Sequence, residues 1–119
     1  MHIVKLYQQQ CSFTGMSLSS IYKHSFIDAC HIVPFSRTQN DSVTNGIALC
    51  PNMHRAFDRG LLSIDQDYHI LVSQHVTEDK THPYALNALK GRQIILPQQQ
   101  NHYPAQKALA WHRGEVFKD

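Results

Sequence analysis

Three polar side chains in the first half of the chain, His31, Asn45 and His54, are of types and at a spacing that an active site could use. His31 lies in a short apolar stretch, a polar loop follows it, and His54 comes nine residues after Asn45. Histidine is the commonest metal ligand in proteins and the side chain that titrates near neutral pH. The chain has 9 histidines in 119 residues, an unusually high number. His31 and His54 therefore suit proton transfer and metal binding.

The second histidine has charged neighbours. A helix is predicted over residues 51–58, because a proline stands at its first position. Asp58 lies four residues after His54, and it therefore occupies the same face of this helix one turn later. Arg55 and Arg59 bracket the turn, and arginine can form bidentate hydrogen bonds to phosphate oxygens. This helix thus combines candidate metal ligands with candidate phosphate-binding groups.

Apolar periodicity and turn residues predict the elements that position these side chains. The predicted elements are a short helix at 3–7, a brief strand at 11–15, the first core strand at 26–35, an exposed loop at 36–44, the return strand at 46–50, a hairpin of 61–65 with 68–72, a helical turn at 83–89, a short strand at 94–96 and a last helix from 104 to about 117. A loop of this size between His31 and Asn45 is often functional.

Composition limits the class of protein. A length of 119 residues predicts one domain, residues 1–119, and the charged fraction of 17% with 42% hydrophobic residues predicts a folded chain. The net charge of +2 is weak support for a polyanionic partner. Three irregularly spaced cysteines favour a reducing cytoplasm over a disulfide framework. No long apolar run or signal-peptide layout is present, so we expect a soluble cytoplasmic protein, and the abrupt start suggests the C-terminal part of a longer one.

The order His31, Asn45, His54 resembles the motif of the HNH nucleases. The resemblance extends over roughly residues 3–117. Over this range the sequence is most similar to a branch of bacterial HNH proteins assigned as restriction endonucleases. Four stretches carry it: Cys11 to Gly15 (Cys-x-x-Thr-Gly), Ala29 to Pro34 (Ala-x-His-Ile-x-Pro), the run Leu49 to Asp65, and Tyr103-Pro104 with Trp111-His112-Arg113. The resemblance implies an α+β fold, with a ββα-metal (HNH or His-Me finger) core at about 26–60, an added β-hairpin and a C-terminal helix.

The resemblance also implies roles for individual residues. His31 would be the general base, and Asn45 would brace the loop that holds it, although Asn45-Gly46 is also an ordinary turn pair. One divalent ion (Mg, Mn, Ni or Zn) would bind among the candidate ligands, which are His54, Asp58, Cys30 and Asp28. Cys30 stands in the ligand position next to His31, but a cysteine in such a strand is more often a small core residue than a ligand. The candidate nucleic-acid-binding residues are Arg55, Arg59 and Arg37.

Two positions depart from the usual HNH pattern of paired Cys-x-x-Cys knuckles. The corresponding pairs here are Cys11 with Thr14 and Cys50 with Met53, so each knuckle has lost one thiol. Structural zinc needs four good ligands. We therefore expect no structural zinc.

The activity that the resemblance implies is metal-dependent hydrolysis of phosphodiester bonds in double-stranded DNA, leaving 5′-phosphate and 3′-hydroxyl ends. An N-terminal recognition domain or a homodimer could set its specificity, and no membrane partner is expected. Two alternatives are a nucleic-acid-binding module without catalysis and an RNA-directed nuclease. Trp111 is interpreted as a packing residue, with His112 and Arg113 facing solvent or phosphate.

Overall fold

The computed structural model describes residues 2–119. Its regular elements, in chain order, are α1 (Ile3–Leu6), β1 (Asp28–His31), α2 (Phe35–Thr38), β2 (Gly46–Leu49), α3 (Pro51–Asp58), β3 (Leu62–Ile64), β4 (Ile70–Val72) and α4 (Gln106–Glu115), with single 3-10 turns at Val43–Asn45, Leu86–Leu89 and Gln100–His102. Helices and short antiparallel strands thus mix along the chain, which confirms the predicted α+β class. None of the helices within residues 2–119 has the length and apolar character needed to cross a membrane.

The centre of the fold is the antiparallel pair β1 and β2, followed directly by α3. Asp28 pairs with Leu49 and His31 pairs with Gly46, so the last residue of β1 lies opposite a residue without a side chain. All four residues of β2 are buried, and α3 packs against both strands. α3 begins at Pro51 and ends at Asp58, as the sequence predicts. In this ββα unit, His31 at the end of β1 and His54 on α3 therefore lie on neighbouring elements.

The added hairpin and the last helix complete the core. β3 and β4 pair antiparallel with Leu62 opposite Val72, which confirms the predicted hairpin. The turn between the strands is closed by Asp65, whose carboxylate accepts hydrogen bonds from the backbone N–H groups of Asp67 and His69. α4 packs on β3, with Leu109 buried. The C-terminal helix therefore lies beside the hairpin and the end of α3.

Four sequence predictions of local structure are wrong, two in the bounds of a segment and two in the assignment of a strand. The strand predicted at 26–35 is limited to residues 28–31, because Pro34 ends the ladder and α2 follows at once. The loop predicted at 36–44 contains most of α2 and the start of a 3-10 turn. Residues 11–15 and 94–96 are not strands, although Ser12 donates its backbone N–H to Ala48 and accepts one from Ile95. Residues 11–15 therefore run beside β2, and residues 94–96 run beside residues 11–15, both as irregular backbone.

His112 is buried, and the prediction that it faces solvent or phosphate is wrong. Its ring stacks on Phe57 of α3 with centroids 3.7 Å apart. Nε2–H donates to the Phe57 carbonyl over 2.9 Å, and the Ser63 hydroxyl donates to Nδ1 over 2.7 Å. Desolvation lowers the pKa of His112 from 6.5 to about 4. One neutral imidazole therefore joins α4 to both α3 and β3.

This burial predicts that the free energy of unfolding depends on pH through His112. Its pKa is lower in the folded chain than in the unfolded chain, so the unfolded state takes up the proton first and stability falls as pH falls from 6.5 towards 4. At about 1.4 kcal/mol per pKa unit, the loss by pH 4.5 is on the order of 2 kcal/mol. Urea unfolding at pH 7.5, 6.0 and 4.5 measures it.

The control is His112→Gln, whose amide can donate and accept but does not titrate. We expect it to be less stable than the parent at pH 7.5, with a difference that shrinks towards pH 4.5. A difference that is the same at all three pH values would contradict the assignment.

Candidate functional site

His31 is the last residue of β1, and its imidazole is 29% exposed. Its Nε2–H donates to Oδ1 of Asp41 over 2.8 Å. This hydrogen bond from His31 is the main reason that the pKa of Asp41 is lower than usual. With Nε2 donating, Nδ1 of the ring is the nitrogen that can accept a proton. The ring is thus held in one orientation and remains accessible to solvent.

Asn45 is buried and bridges the two ends of the segment between β1 and β2. Its Oδ1 accepts a hydrogen bond from the N–H of Val33, and its Nδ2 donates to the carbonyls of Val33 and Asn40, each over 3.0 Å. Its backbone carbonyl accepts the N–H of Ile32 over 2.8 Å. The side chain therefore fixes the backbone just beyond His31 and just before Asp41, in agreement with the bracing role that the sequence resemblance implies.

His54 lies on α3 between two carboxylates. Its Nδ1 is 2.9 Å from Oδ2 of Asp28, and its Nε2 is 3.0 Å from Oδ2 of Asp58. A neutral imidazole has one N–H, so it can donate to only one of them. The other contact needs a second proton or a cation between nitrogen and oxygen. Burial raises the pKa of Asp58, and the nearby His54 partly offsets this.

The donor set at His54 fits a divalent cation. Imidazole nitrogen and carboxylate oxygen are ligands that Zn, Ni, Mn and Mg accept in differing proportions. A histidine that binds metal through one nitrogen usually donates its other N–H to a carboxylate, and Asp28 is placed to receive it. The separation of 3.0 Å between Nε2 of His54 and Oδ2 of Asp58 is close to that of two ligands bound at right angles, each about 2.1 Å from one ion.

One open cavity joins the two histidines. Its volume is about 400 Å³, and its lining includes Cys30, His31, His54, Asp58 and Trp111. Asp28 lies instead beside an adjoining cavity that His54 and Asp58 also line. The structure therefore brings the predicted base and two predicted ligands to one surface, with Asp28 behind His54.

Cys30 is the candidate ligand that the structure favours least. Its side chain faces the core, opposite Ile47, and is 1% exposed. Burial, together with the charges of Asp58 and Asp28, raises the pKa of the thiol. Because the thiolate is the form that binds metals, this environment opposes coordination.

The predicted arginines lie around the site and not inside it. Arg55 and Arg59 are exposed and line the cavity that contains Asp28 and Asp58. Arg37 is exposed on α2, with its guanidinium carbon 5.5 Å from the centre of the Trp111 ring. All three are thus available to an anionic ligand.

Two other groups of metal-ligating side chains occur among the described residues. Asp65, Asp67 and His69 have ligand atoms within 4.8 Å of one another at the β3–β4 turn. At the knuckle positions, Cys11 hydrogen bonds to Cys50 and to Thr14. The bond from the Cys50 thiol lowers the pKa of Cys11 and raises that of Cys50. Three of the knuckle positions therefore lie close together in space. They offer two thiols and one hydroxyl, whereas a zinc site of this kind has four thiols.

The sequence interpretation missed Asp41, which contacts the predicted base. A signal for it exists, because the first 64 residues contain only three carboxylates, those of Asp28, Asp41 and Asp58. In the structure each of these three contacts one of the two motif histidines. Sparse acidic residues in an otherwise acid-free segment are therefore worth treating as candidate site residues.

Comparisons with known proteins found a matching family model and a solved structure with a similar fold. A family model described as HNH endonuclease matches residues 11–65, the segment that contains both histidines and Asn45. Among solved structures, a modification-dependent TagI restriction endonuclease superposes with a TM-score of 0.66 and 23% sequence identity, over 96% of this chain and 35% of that one. This chain thus corresponds to a minor part of that protein, and the likeness shows a shared fold. Curated proteins gave no match.

The buried amide of Asn45 predicts a large effect of its removal. Asn45→Ala leaves the N–H and carbonyl of Val33 without their side-chain partners in a buried region. Unsatisfied buried groups cost about 1–3 kcal/mol each, so we expect a loss of at least 2 kcal/mol of unfolding free energy. Urea denaturation followed by circular dichroism measures the change.

Asn52→Ala is the matched control, because Asn52 is exposed on α3, and we expect it to change stability by less than about 0.5 kcal/mol. Equal stabilities of the two variants would contradict the bracing role of Asn45.

Proposed function

We propose that this chain is an HNH endonuclease that hydrolyses DNA phosphodiester bonds with His31 as the general base and a divalent metal ion held by His54 and Asp58, and the family model that matches residues 11–65 supports this proposal. The observation that carries the proposal is the single open cavity that His31, His54 and Asp58 share. A base and a cation site must both reach one phosphate for this reaction.

His31 supplies the base. Asp41 holds its Nε2–H, which leaves Nδ1 to take a proton from water as the water oxygen bonds to phosphorus. The carboxylate of Asp41 also stabilises the imidazolium that results. The bond from phosphorus to the 3′ oxygen then breaks and that oxygen takes a proton from solvent, which gives 5′-phosphate and 3′-hydroxyl ends.

His54 and Asp58 supply the ligand positions, and Asp28 orients His54 through Nδ1. A divalent ion bound there would neutralise charge on the phosphate and on the departing oxygen. Cys30 is kept outside this ligand set because its thiol is buried with a raised pKa. Arg55 and Arg59, beside Asp28 and Asp58, would bind flanking phosphates as bidentate partners.

The likeness to a modification-dependent restriction endonuclease supports a restriction role for this module. In this proposal, the choice of sequence or modification comes from a separate recognition domain or from a second copy of the chain. Double-stranded DNA as substrate and a cytoplasmic location are parts of the same proposal.

The first test is cleavage of supercoiled plasmid with Mg²⁺, Mn²⁺, Ni²⁺ or Zn²⁺. We expect at least one ion to support nicking, and His31→Ala to lower kcat by a factor of about 10²–10⁴, because a positioned base contributes this much. Asp41→Asn should lower kcat roughly tenfold or more with little change in KM, because it removes the charged partner that orients His31.

Two variants serve as controls. His82→Ala removes an exposed histidine and Asp79→Asn an exposed aspartate, neither of which lines the proposed site. Both should cut like the parent. Cleavage by His31→Ala at the parent rate would refute the mechanism, and faster cutting of an RNA of equal length would assign RNA as the substrate.

The second test concerns the metal ion, and isothermal titration calorimetry with Mn²⁺ or Ni²⁺ measures it. We expect Asp58→Asn to weaken binding by at least tenfold, and Asp28→Asn by about 10–100-fold through the loss of the partner of His54. Asp67→Asn is the matched control, because it alters the acidic group at the β3–β4 turn. Loss of binding in Asp67→Asn with none in Asp58→Asn would move the metal site to that turn.

A further inference from the structure

A second cavity lies next to the one that holds the two histidines. Its volume is about 470 Å³, and it lies between the segment that follows β1 and the face of α4. Its lining includes Arg37, Thr38, Asn40, Asn45, Lys107 and Trp111. Trp111 lines both cavities, so the two are neighbours that share one wall.

The charge of this second cavity favours an anion. Arg37 and Lys107 contribute two cations, and none of the described residues in its lining is acidic. The carboxylates of the preceding segment are already committed to histidines, since Asp28 and Asp58 contact His54 and Asp41 contacts His31. A phosphate group placed here would therefore meet two positive charges.

The geometry of the cations suits phosphate in particular. The guanidinium of Arg37 lies over the Trp111 ring at 5.5 Å, which holds the planar group in place. Arginine can then bind two phosphate oxygens at once, while lysine adds a mobile point charge. The Thr38 hydroxyl accepts a hydrogen bond from the N–H of Asn40, so its own O–H is left to donate to a ligand.

We propose that this second cavity is a subsite for the phosphodiester of the nucleotide next to the cleaved one. It rests on the proposed function, because the neighbouring cavity must hold the scissile phosphate. Successive phosphates of one strand then occupy successive cavities on either side of Trp111. Arg37 and Lys107 thereby fix the register of the strand over His31 and His54.

Binding is tested in the His31→Ala background, so that DNA is held without being cut. End-labelled DNA duplexes measure the dissociation constant by fluorescence anisotropy at several salt concentrations. Arg37→Gln with Lys107→Gln should raise the dissociation constant at least tenfold and lower the slope of log K against log salt by about 1–2, one phosphate contact per cation. Both residues are exposed, so the double variant should unfold at the same urea concentration as its background.

Trp111 provides a local readout, because it is the only tryptophan in the chain. Unlabelled DNA should quench its fluorescence in the His31→Ala protein, and the quenching should shift to higher DNA concentration in the double variant. Lys90→Gln is the matched control, because Lys90 lines a separate cavity that also contains Glu78. It should leave both the affinity and the quenching unchanged.

The outcomes separate this inference from the proposed hydrolysis. In the protein with His31 intact, loss of Arg37 and Lys107 should raise KM with little change in kcat. Unchanged affinity and salt slope in the double variant would overturn the subsite even if the parent cuts DNA. Inorganic phosphate would also overturn it if it quenched the Trp111 fluorescence at the same concentration of phosphate groups as DNA does. That result would indicate a site for free phosphate. If no ion supports cleavage but binding still depends on Arg37 and Lys107, the proposed hydrolysis is refuted, and the second cavity is a phosphate subsite for a bound strand with no cleaved nucleotide beside it.

Discussion

The side chain of Asn45 is the contact on which the geometry of the site depends. It binds both backbone groups of Val33, two residues after His31, and the carbonyl of Asn40, one residue before Asp41. The N–H and carbonyl of Val33 are buried, so their hydrogen bonds to the amide hold this side chain in place. One buried residue thus positions the strand end that carries His31 and the loop that carries Asp41.

The ion pairs around the histidines have a different physical purpose. Exposed pairs of this kind contribute about 0–1 kcal/mol to stability, which is small beside the cost of an unsatisfied buried amide. Asp41 and Asp58 are both exposed. Their value is therefore orientation and charge at the imidazoles, while Asn45 and His112 hold the elements together. Stability and chemistry are assigned to separate polar residues in the same small volume.

Sequence alone predicted α3 to the residue, because a proline at the first helical position and a glycine after the last turn are local signals. It overextended β1, because the apolar residues between Ile32 and Phe35 have the same composition in a strand and in the turn and helix that follow. Apolarity without alternation does not mark where a short strand ends.

The errors at the site come from contacts between residues that are distant in sequence. His112 reads as a polar residue near the end of a helix, and its partners Ser63 and Phe57 precede it by 49 and 55 residues. Asp41 lies in a polar loop, and only the path of that loop brings it back to His31. The positions of His54 and Asp58 needed only helical periodicity, which is why they could be anticipated together.

The end of α3 has a consequence for the dynamics of the chain. Gly60 has a φ of +78°, and a Cβ at this position would collide with the carbonyl of Val116. Its own carbonyl accepts the N–H of Lys118 over 2.8 Å. The last residues of the chain therefore pack onto the turn that follows Asp58. Fraying of this C-terminal segment and disorder of the Asp58 carboxylate are thus thermodynamically linked. Occupation of the proposed cation site at His54 and Asp58 should slow amide hydrogen exchange at Lys118, which is no part of that site.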